Sequence, residues 1–165
     1  MKSLKGFCII GAIITIVLGT ISHFVYDWSG GNFFVGLFFP VNESTWEHLK
    51  LLFFPMLAYA LFAGKKIEES YPCIYNAMFT GILAGLGLIP VLFYTYTGIL
   101  GYNVDWLNIV TYIVSVIIAY CVVYRVAKKC SGKNARVLTY LMYALILAFM
   151  IFTVYPPKLG LFVSP

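Results

Sequence analysis

The feature that most limits what this chain can become is a succession of long apolar stretches almost free of charge. They cover residues 7–26, 44–64, 73–100, 106–127 and 136–155. Crossing the hydrocarbon core of a bilayer takes about 20 mostly apolar residues in a helix. Of the 165 residues, 62% are hydrophobic and 10% are charged, against about 25% charged in an ordinary soluble domain. A water-soluble globule is therefore excluded. So are a disordered chain, which needs low hydrophobicity, and a nucleic-acid binder, which needs a basic face or a reader motif. The expected fold is all-α, an integral membrane bundle of five transmembrane helices forming a single polytopic domain over residues 1–165. Lys2 and Lys5 before the first stretch imitate a secretory leader, but no A-x-A-like cleavage site follows, so an uncleaved first span is expected. Pro55 and Pro90 fall inside the second and third stretches as expected kinks.

Orientation follows from lysine and arginine. If the five spans alternate, Lys2, Lys5, Lys65, Lys66, Arg125, Lys128, Lys129, Lys133 and Arg136 share one side, leaving Lys50 and Lys158 for the other. This predicts an N-in, C-out topology. Cys8, Cys73, Cys121 and Cys130 then lie at or near the cytoplasmic side, where thiols stay reduced, and no disulfide is expected. Gly81 and Gly85 form a G-x-x-x-G in the third stretch. Small residues at that spacing let helix backbones approach closely, either between helices of one bundle or toward a homo- or hetero-oligomeric membrane partner.

Acidic residues sort as sharply as basic ones. Glu68 and Glu69 sit beside Lys65 and Lys66, whereas Asp27, Glu43, Glu47 and Asp105 fall on the outer side with both histidines, His23 and His48. Helix rise places His23 about 4–5 Å and His48 about 6 Å inside the outer ends of their spans. The two imidazoles therefore share one layer of the outer leaflet. Each neighbour also has a structural reading. Ser44-Thr45-Trp46-Glu47 matches a capping box, Asp105 or Asn103 suits a helix N-cap, and Lys50 can snorkel to the headgroups. Asp27 opposes the dipole at the end of its helix and calls for a cationic partner, either protonated His23, Lys50 or a metal. Residues 29–42 are too short to cross the bilayer and too apolar for a plain loop, which predicts a short interfacial or re-entrant segment.

The blocks Ser22-His23-Phe24-Val25-Tyr26-Asp27-Trp28 and Phe39-Pro40-Val41-Asn42-Glu43-Ser44-Thr45-Trp46-Glu47-His48-Leu49-Lys50, with the closing Tyr155-Pro156-Pro157-Lys158-Leu159-Gly160-Leu161-Phe162, resemble a bacterial family of small polytopic membrane proteins catalogued as a domain of unknown function. The resemblance implies a multi-pass protein of the bacterial cytoplasmic membrane and brings no activity. Where that family has an acidic residue near its C-terminal end, this chain has Val163-Ser164-Pro165, so a short further tail is expected. A more distant comparison is with the alkaline ceramidases and adiponectin receptors, which hold zinc on three histidines in a seven-helix bundle. Two histidines and five expected spans set this chain apart from them.

These residues support three classes of function. The first is a metal-dependent hydrolase acting on a lipid or lipid-linked substrate. His23, Asp27 and His48 would supply the three protein ligands of a catalytic zinc, and Glu47 or Glu43 would serve as general base toward the bound water. Lys50, Asp105, Asn42 and Ser22 complete the polar neighbourhood. The second is a cation- or proton-coupled transport component that uses the same cluster as its mouth and Asn76, Thr80, Thr95 and Thr111 as a path. The third is a non-catalytic protein binding membrane lipids or a partner. H-E-x-x-H and G-x-S-x-G are both absent from the sequence, so neither a metalloprotease helix nor a serine nucleophile is indicated.

Overall fold

Lipid offers a backbone no hydrogen bonds, so apolar runs of this length bond internally as helices. The computed structural model describes residues 3–130 and 135–164, and Lys2 and Lys133 of the expected basic side lie outside them. Among the described residues the chain forms α1 (Leu4–Trp28), α2 (Phe33–Gly36), α3 (Thr45–Ala63), α4 (Ile74–Leu100), α5 (Asp105–Lys129) and α6 (Ala135–Val154), with short 3-10 turns at Gly64–Lys66 and Gly160–Phe162. Gly30 (φ +69°) and Gly31 (φ +75°) end α1 in the left-handed region that other residues resist. Pro55 and Pro90 stay inside α3 and α4.

Helices α1, α3, α4 and α5 close into a ring, each touching the next, and α6 packs outside against α4 and α3. Neighbours run antiparallel. Tyr59 of α3 reaches the Phe7 carbonyl near the start of α1, while Leu52 meets Gly85 of α4, and Ala119 and Val123 of α5 meet Gly81. A Cβ on Gly81 would lie 2.5 Å from Val123 and 2.8 Å from the Ala119 carbonyl oxygen. Of the two uses expected for this glycine pair, the structure displays the contact within the bundle.

Four helices, α1, α4, α5 and α6, are long and apolar enough to cross a membrane. Large apolar side chains cover their outer faces, such as Ile9, Ile13 and Val17 on α1 and Tyr140, Leu147 and Ile151 on α6, all exposed. So wide an apolar surface is stable against acyl chains and not against water, and the chain has the character of a membrane protein. The remaining long helix, α3, was expected as a span and is not among these four. Glu47, His48 and Lys50 crowd its first two turns, and its neighbours cover most of it.

Buried inside that first turn is an ion pair. Lys50 Nζ lies 2.7 Å from Glu47 Oε2, with both side chains essentially inaccessible. Lys50 also donates to the Gly36 carbonyl (2.9 Å), the Thr153 hydroxyl (2.6 Å) and, more weakly, the Phe39 carbonyl (3.4 Å). Glu47 accepts from the Val41 amide (3.0 Å) and from Thr153 (3.0 Å). The expected capping box is thus half formed. Ser44 caps α3 by accepting from the Glu47 amide, but the Glu47 carboxylate turns to Lys50, and the Ser44 amide bonds Asn42 Oδ1 instead (2.9 Å). Lys50 does not snorkel, because these acceptors hold it in the core.

At the opposite end, Cys73 and Cys130 form a disulfide with Cα atoms 5.2 Å apart. This corrects the expectation of four free thiols. Antiparallel packing brings the residue before α4 beside the residue after α5, a proximity that a separation of 57 residues conceals. Asp105 occupies the first turn of α5 without capping it, since the N-cap position is Val104.

Two outcomes are expected. Lys50→Met leaves Glu47 charged and unpaired in the core and should cost about 3–5 kcal/mol of stability, with the double variant Glu47→Leu/Lys50→Met recovering part of it; thermal melts in detergent measure both. Cys73→Ser should lower the melting temperature through a stability loss of at most about 4 kcal/mol in chain-entropy terms, and less because helices persist in a membrane-held unfolded chain.

Candidate functional site

Antiparallel packing brings the end of α1, the starts of α3 and α5 and the last third of α4 to one end of the ring, opposite the basic residues. His23 projects from the last turns of α1. Ser44 is the N-cap of α3, so Glu43 stands just before the helix and His48 one turn inside it. Glu43 Oε1 lies 3.7 Å from His23 Nε2 and Glu43 Oε2 lies 3.3 Å from His48 Nε2. The two imidazole centroids are 5.4 Å apart. One ligand atom from each of the three residues falls within 4.8 Å of the others.

His48 is oriented by its own helix. Its Nδ1 lies 2.9 Å from the Ser44 carbonyl, and that bond is made when Nδ1 carries the proton. Nε2 then presents its lone pair toward Glu43 and His23, the arrangement in which an outer carbonyl fixes the tautomer of a metal-ligating imidazole. The carboxylate–imidazole distances exceed the roughly 2.7–2.9 Å of a strong charge-assisted hydrogen bond. They come near the roughly 3.3 Å that separates ligand atoms around a tetrahedral zinc with bonds of about 2.0–2.1 Å.

The three side chains stand on one wall of a cavity of about 600 Å³, whose far wall carries Asn103, Asp105, Asn108 and Thr111. Leu51, Ile89 and Phe93 make its apolar interior. The floor is Tyr112, whose hydroxyl donates to the Thr15 carbonyl (2.7 Å) and lies 3.3 Å from the Leu51 carbonyl. Gly19 makes room for that ring, because a Cβ there would sit 1.9 Å from the Tyr112 hydroxyl and 2.5 Å from the Leu51 carbonyl oxygen. Asn103 and Asn108 are linked to each other and to the Tyr96 hydroxyl, which ties the α4–α5 connection together at the rim.

The structure therefore gathers His23, Glu43 and His48, with Asp105 across the cavity. It does not bring Asp27 to them, because Asp27 is exposed on the last turn of α1 and outside the three-residue group. Glu47 and Lys50 satisfy one another in the core and do not line the cavity. Asn42 supports the loop that carries Glu43, and Ser22 is half-buried beside the cavity without lining it. Sequence reasoning missed Thr20, Asn108 and Tyr112 as cavity residues and Thr153 as a partner of the ion pair. Nothing in the local sequence distinguishes them. Only the Gly19–Tyr112 pairing across helices makes a floor.

A family profile described as a family of unknown function (DUF6512) matches residues 1–164. The chain belongs to this family. Neither a curated protein nor a solved structure matches it. Membership of DUF6512 assigns no reaction, so the chemistry of the site rests on its own geometry.

Gly19→Ala should be strongly destabilising for its size, since the added methyl meets both a ring hydroxyl and a main-chain oxygen. Removing the hydroxyl with Tyr112→Phe in the same chain should restore only part of the loss, because the Leu51 carbonyl remains in place; detergent melting curves of the three proteins measure this.

Proposed function

We propose that His23, Glu43 and His48 hold a divalent metal ion, zinc by donor chemistry, in a polytopic protein of the bacterial cytoplasmic membrane. We further propose that the centre hydrolyses a lipid or lipid-linked substrate of the outer leaflet. The observation that carries the reading is the convergence of two imidazole nitrogens and a carboxylate within 4.8 Å, with His48 pre-oriented by the Ser44 carbonyl. In this reading α3 is a fifth span. Its 19 residues measure about 28 Å, close to the roughly 30 Å hydrocarbon thickness. Its charged start is shielded from lipid by α1, α6 and the 33–41 segment. Counting lysine and arginine supports a cytoplasmic N-terminus and an outer site, and against it stands the Cys73–Cys130 disulfide at the basic end, a bond that a reducing compartment disfavours.

A bound ion would polarise a substrate carbonyl or phosphoryl group and supply hydroxide at neutral pH. The chain does the rest. Two imidazoles and one carboxylate would hold the ion as its three protein ligands, beside the cavity that they line. Glu43 serves as ligand and Glu47 is engaged with Lys50, so neither is free to act as general base. A transport path has less support. Below Tyr112 the interior is filled by Leu52, Val116 and Ala119, and Thr15 and Tyr120 bond each other at 3.0 Å.

Protein purified without chelators should carry stoichiometric zinc by elemental analysis. After stripping, it should rebind zinc in calorimetry, and His48→Ala or His23→Ala should weaken that binding by more than about 100-fold, beyond the loss of an outer-shell partner. Equal zinc affinity in wild type and both variants would remove the metal centre.

A further inference from the structure

The cavity is not sealed on its flank. Phe24 of α1 and Ile109 of α5 both line it, and both are exposed, at 47% and 60%. They lie on adjoining helices that are long and apolar enough to cross a membrane. Deeper in the bundle α1 and α5 are locked together, by Tyr112 over Gly19 and by the Thr15–Tyr120 hydrogen bond. Above Tyr112 no such lock joins them among the described residues, and Phe24 of α1 and Ile109 of α5 line the cavity there. From Asp105 at the rim to Tyr112 at the floor is seven residues of α5, or about 10 Å of depth.

The walls of this cleft differ in chemistry. One carries the His23–Glu43–His48 group, the other Asn103, Asp105 and Asn108, and between them Phe24, Leu51, Ile89 and Phe93 form an apolar trough. Among the described residues no lysine or arginine lines the cavity, and Lys50, the cation nearest in sequence, is buried against Glu47. On the far wall the Asn103 and Asn108 amide oxygens are engaged by Tyr96 and by each other, so Asp105 is the acceptor left for a hydroxyl group, and the wall offers an anionic headgroup no counter-charge. A volume near 600 Å³ lies within the roughly 300–1,000 Å³ of pockets that enclose one drug-sized molecule, which suits one chain and a small head.

The geometry points to a lateral portal between α1 and α5, through which a neutral, hydroxyl-bearing lipid with a single acyl chain slides from the outer leaflet into the cleft. The chain lies on Phe24, Leu51, Ile89 and Phe93. The headgroup bonds Asp105, and the chain–head linkage comes to rest beside His23 and His48. This specifies the substrate class of the site proposed above and rests on that reading for its chemistry, but the binding event is separate from the metal.

The test is binding of a medium-chain monoacylglycerol to the full chain in nanodiscs, followed by native mass spectrometry, with glycerol and a single-chain alkyl phosphate as comparison probes. Chelator-treated and zinc-loaded protein are measured side by side. Saturable binding of the monoacylglycerol is expected in both, with the alkyl phosphate much weaker in the chelator-treated protein. Ile109→Trp narrows the portal at an exposed position that the fold does not need, and Ile89→Trp fills the trough. Each should weaken monoacylglycerol binding by about tenfold or more, the loss that one blocked apolar contact region brings, while zinc affinity stays unchanged. Monoacylglycerol binding that ignores both substitutions, or that glycerol matches, overturns the portal. Loss of zinc binding in His48→Ala with monoacylglycerol binding intact is the expected separation of the two sites. Absence of zinc binding in wild type, with lipid binding intact, would defeat the metal reading and leave the portal standing.

Discussion

A lysine and a glutamate buried side by side set the terms for the rest of this molecule. Taking two charges out of water is costly, and the cost is recovered only when every remaining proton and lone pair finds a partner. Here the partners come from two separate parts of the chain. The carbonyls of Gly36 and Phe39 and the amide of Val41 belong to the segment between α1 and α3, and Thr153 belongs to α6. Satisfying Glu47 and Lys50 therefore pins a connecting segment and a peripheral helix onto the first turn of α3. In an environment of low dielectric, loosening any of these contacts leaves a charge exposed to hydrocarbon.

That constraint bears on the candidate site through distance along the chain. Glu43 lies between Val41, whose amide is held by Glu47, and Ser44, which caps α3. His48 is a direct neighbour of Glu47 in the same turn, and its ring is fixed by the carbonyl of the capping residue. The two walls of the cavity are supported differently. The histidine wall rests on the buried ion pair, whereas the Asn103–Asn108 wall rests on the tight α4–α5 connection and the Tyr96 hydroxyl. A site supported from below by a charged core and from the side by a short turn is held more firmly than one carried on loops alone.

Much of the fold was legible because lipid restricts the choices so heavily. The long helices begin and end near where the apolar runs do, the helix stop after Trp28 falls at its two glycines, and the small residues of α4 meet a neighbouring helix. The pairing of His23 with His48 was legible from helix rise and antiparallel order. Other assignments failed for an identifiable reason, which is that a polar side chain near a helix end has several partners within reach. Glu47 satisfied a capping pattern and a general-base role equally well on paper, and Lys50 resembled a snorkelling residue. Thr153, more than a hundred residues away, decided both. Asp27 looked better than Glu43 as a ligand because it opposes the dipole at the end of its helix and calls for a cationic partner. The rotation of α1, which turns Asp27 outward, follows from Gly11 and Gly19 facing Tyr120 and Tyr112.

The sequence by itself determined that the chain is helical, that it lives against lipid and that its histidines and most of its carboxylates gather at the end away from its basic residues. Hydropathy and charge along a single dimension suffice for that, because the bilayer is itself a one-dimensional field. Which carboxylate stands between the imidazoles, which glutamate is spent inside the core, where a cavity opens and which two cysteines join were decided only by the tertiary structure. Each depends on the rotation of one helix against another. That rotation is fixed by contacts between residues far apart in the chain, such as Gly19 with Tyr112 and Lys50 with Thr153, which leave no periodic trace in the sequence.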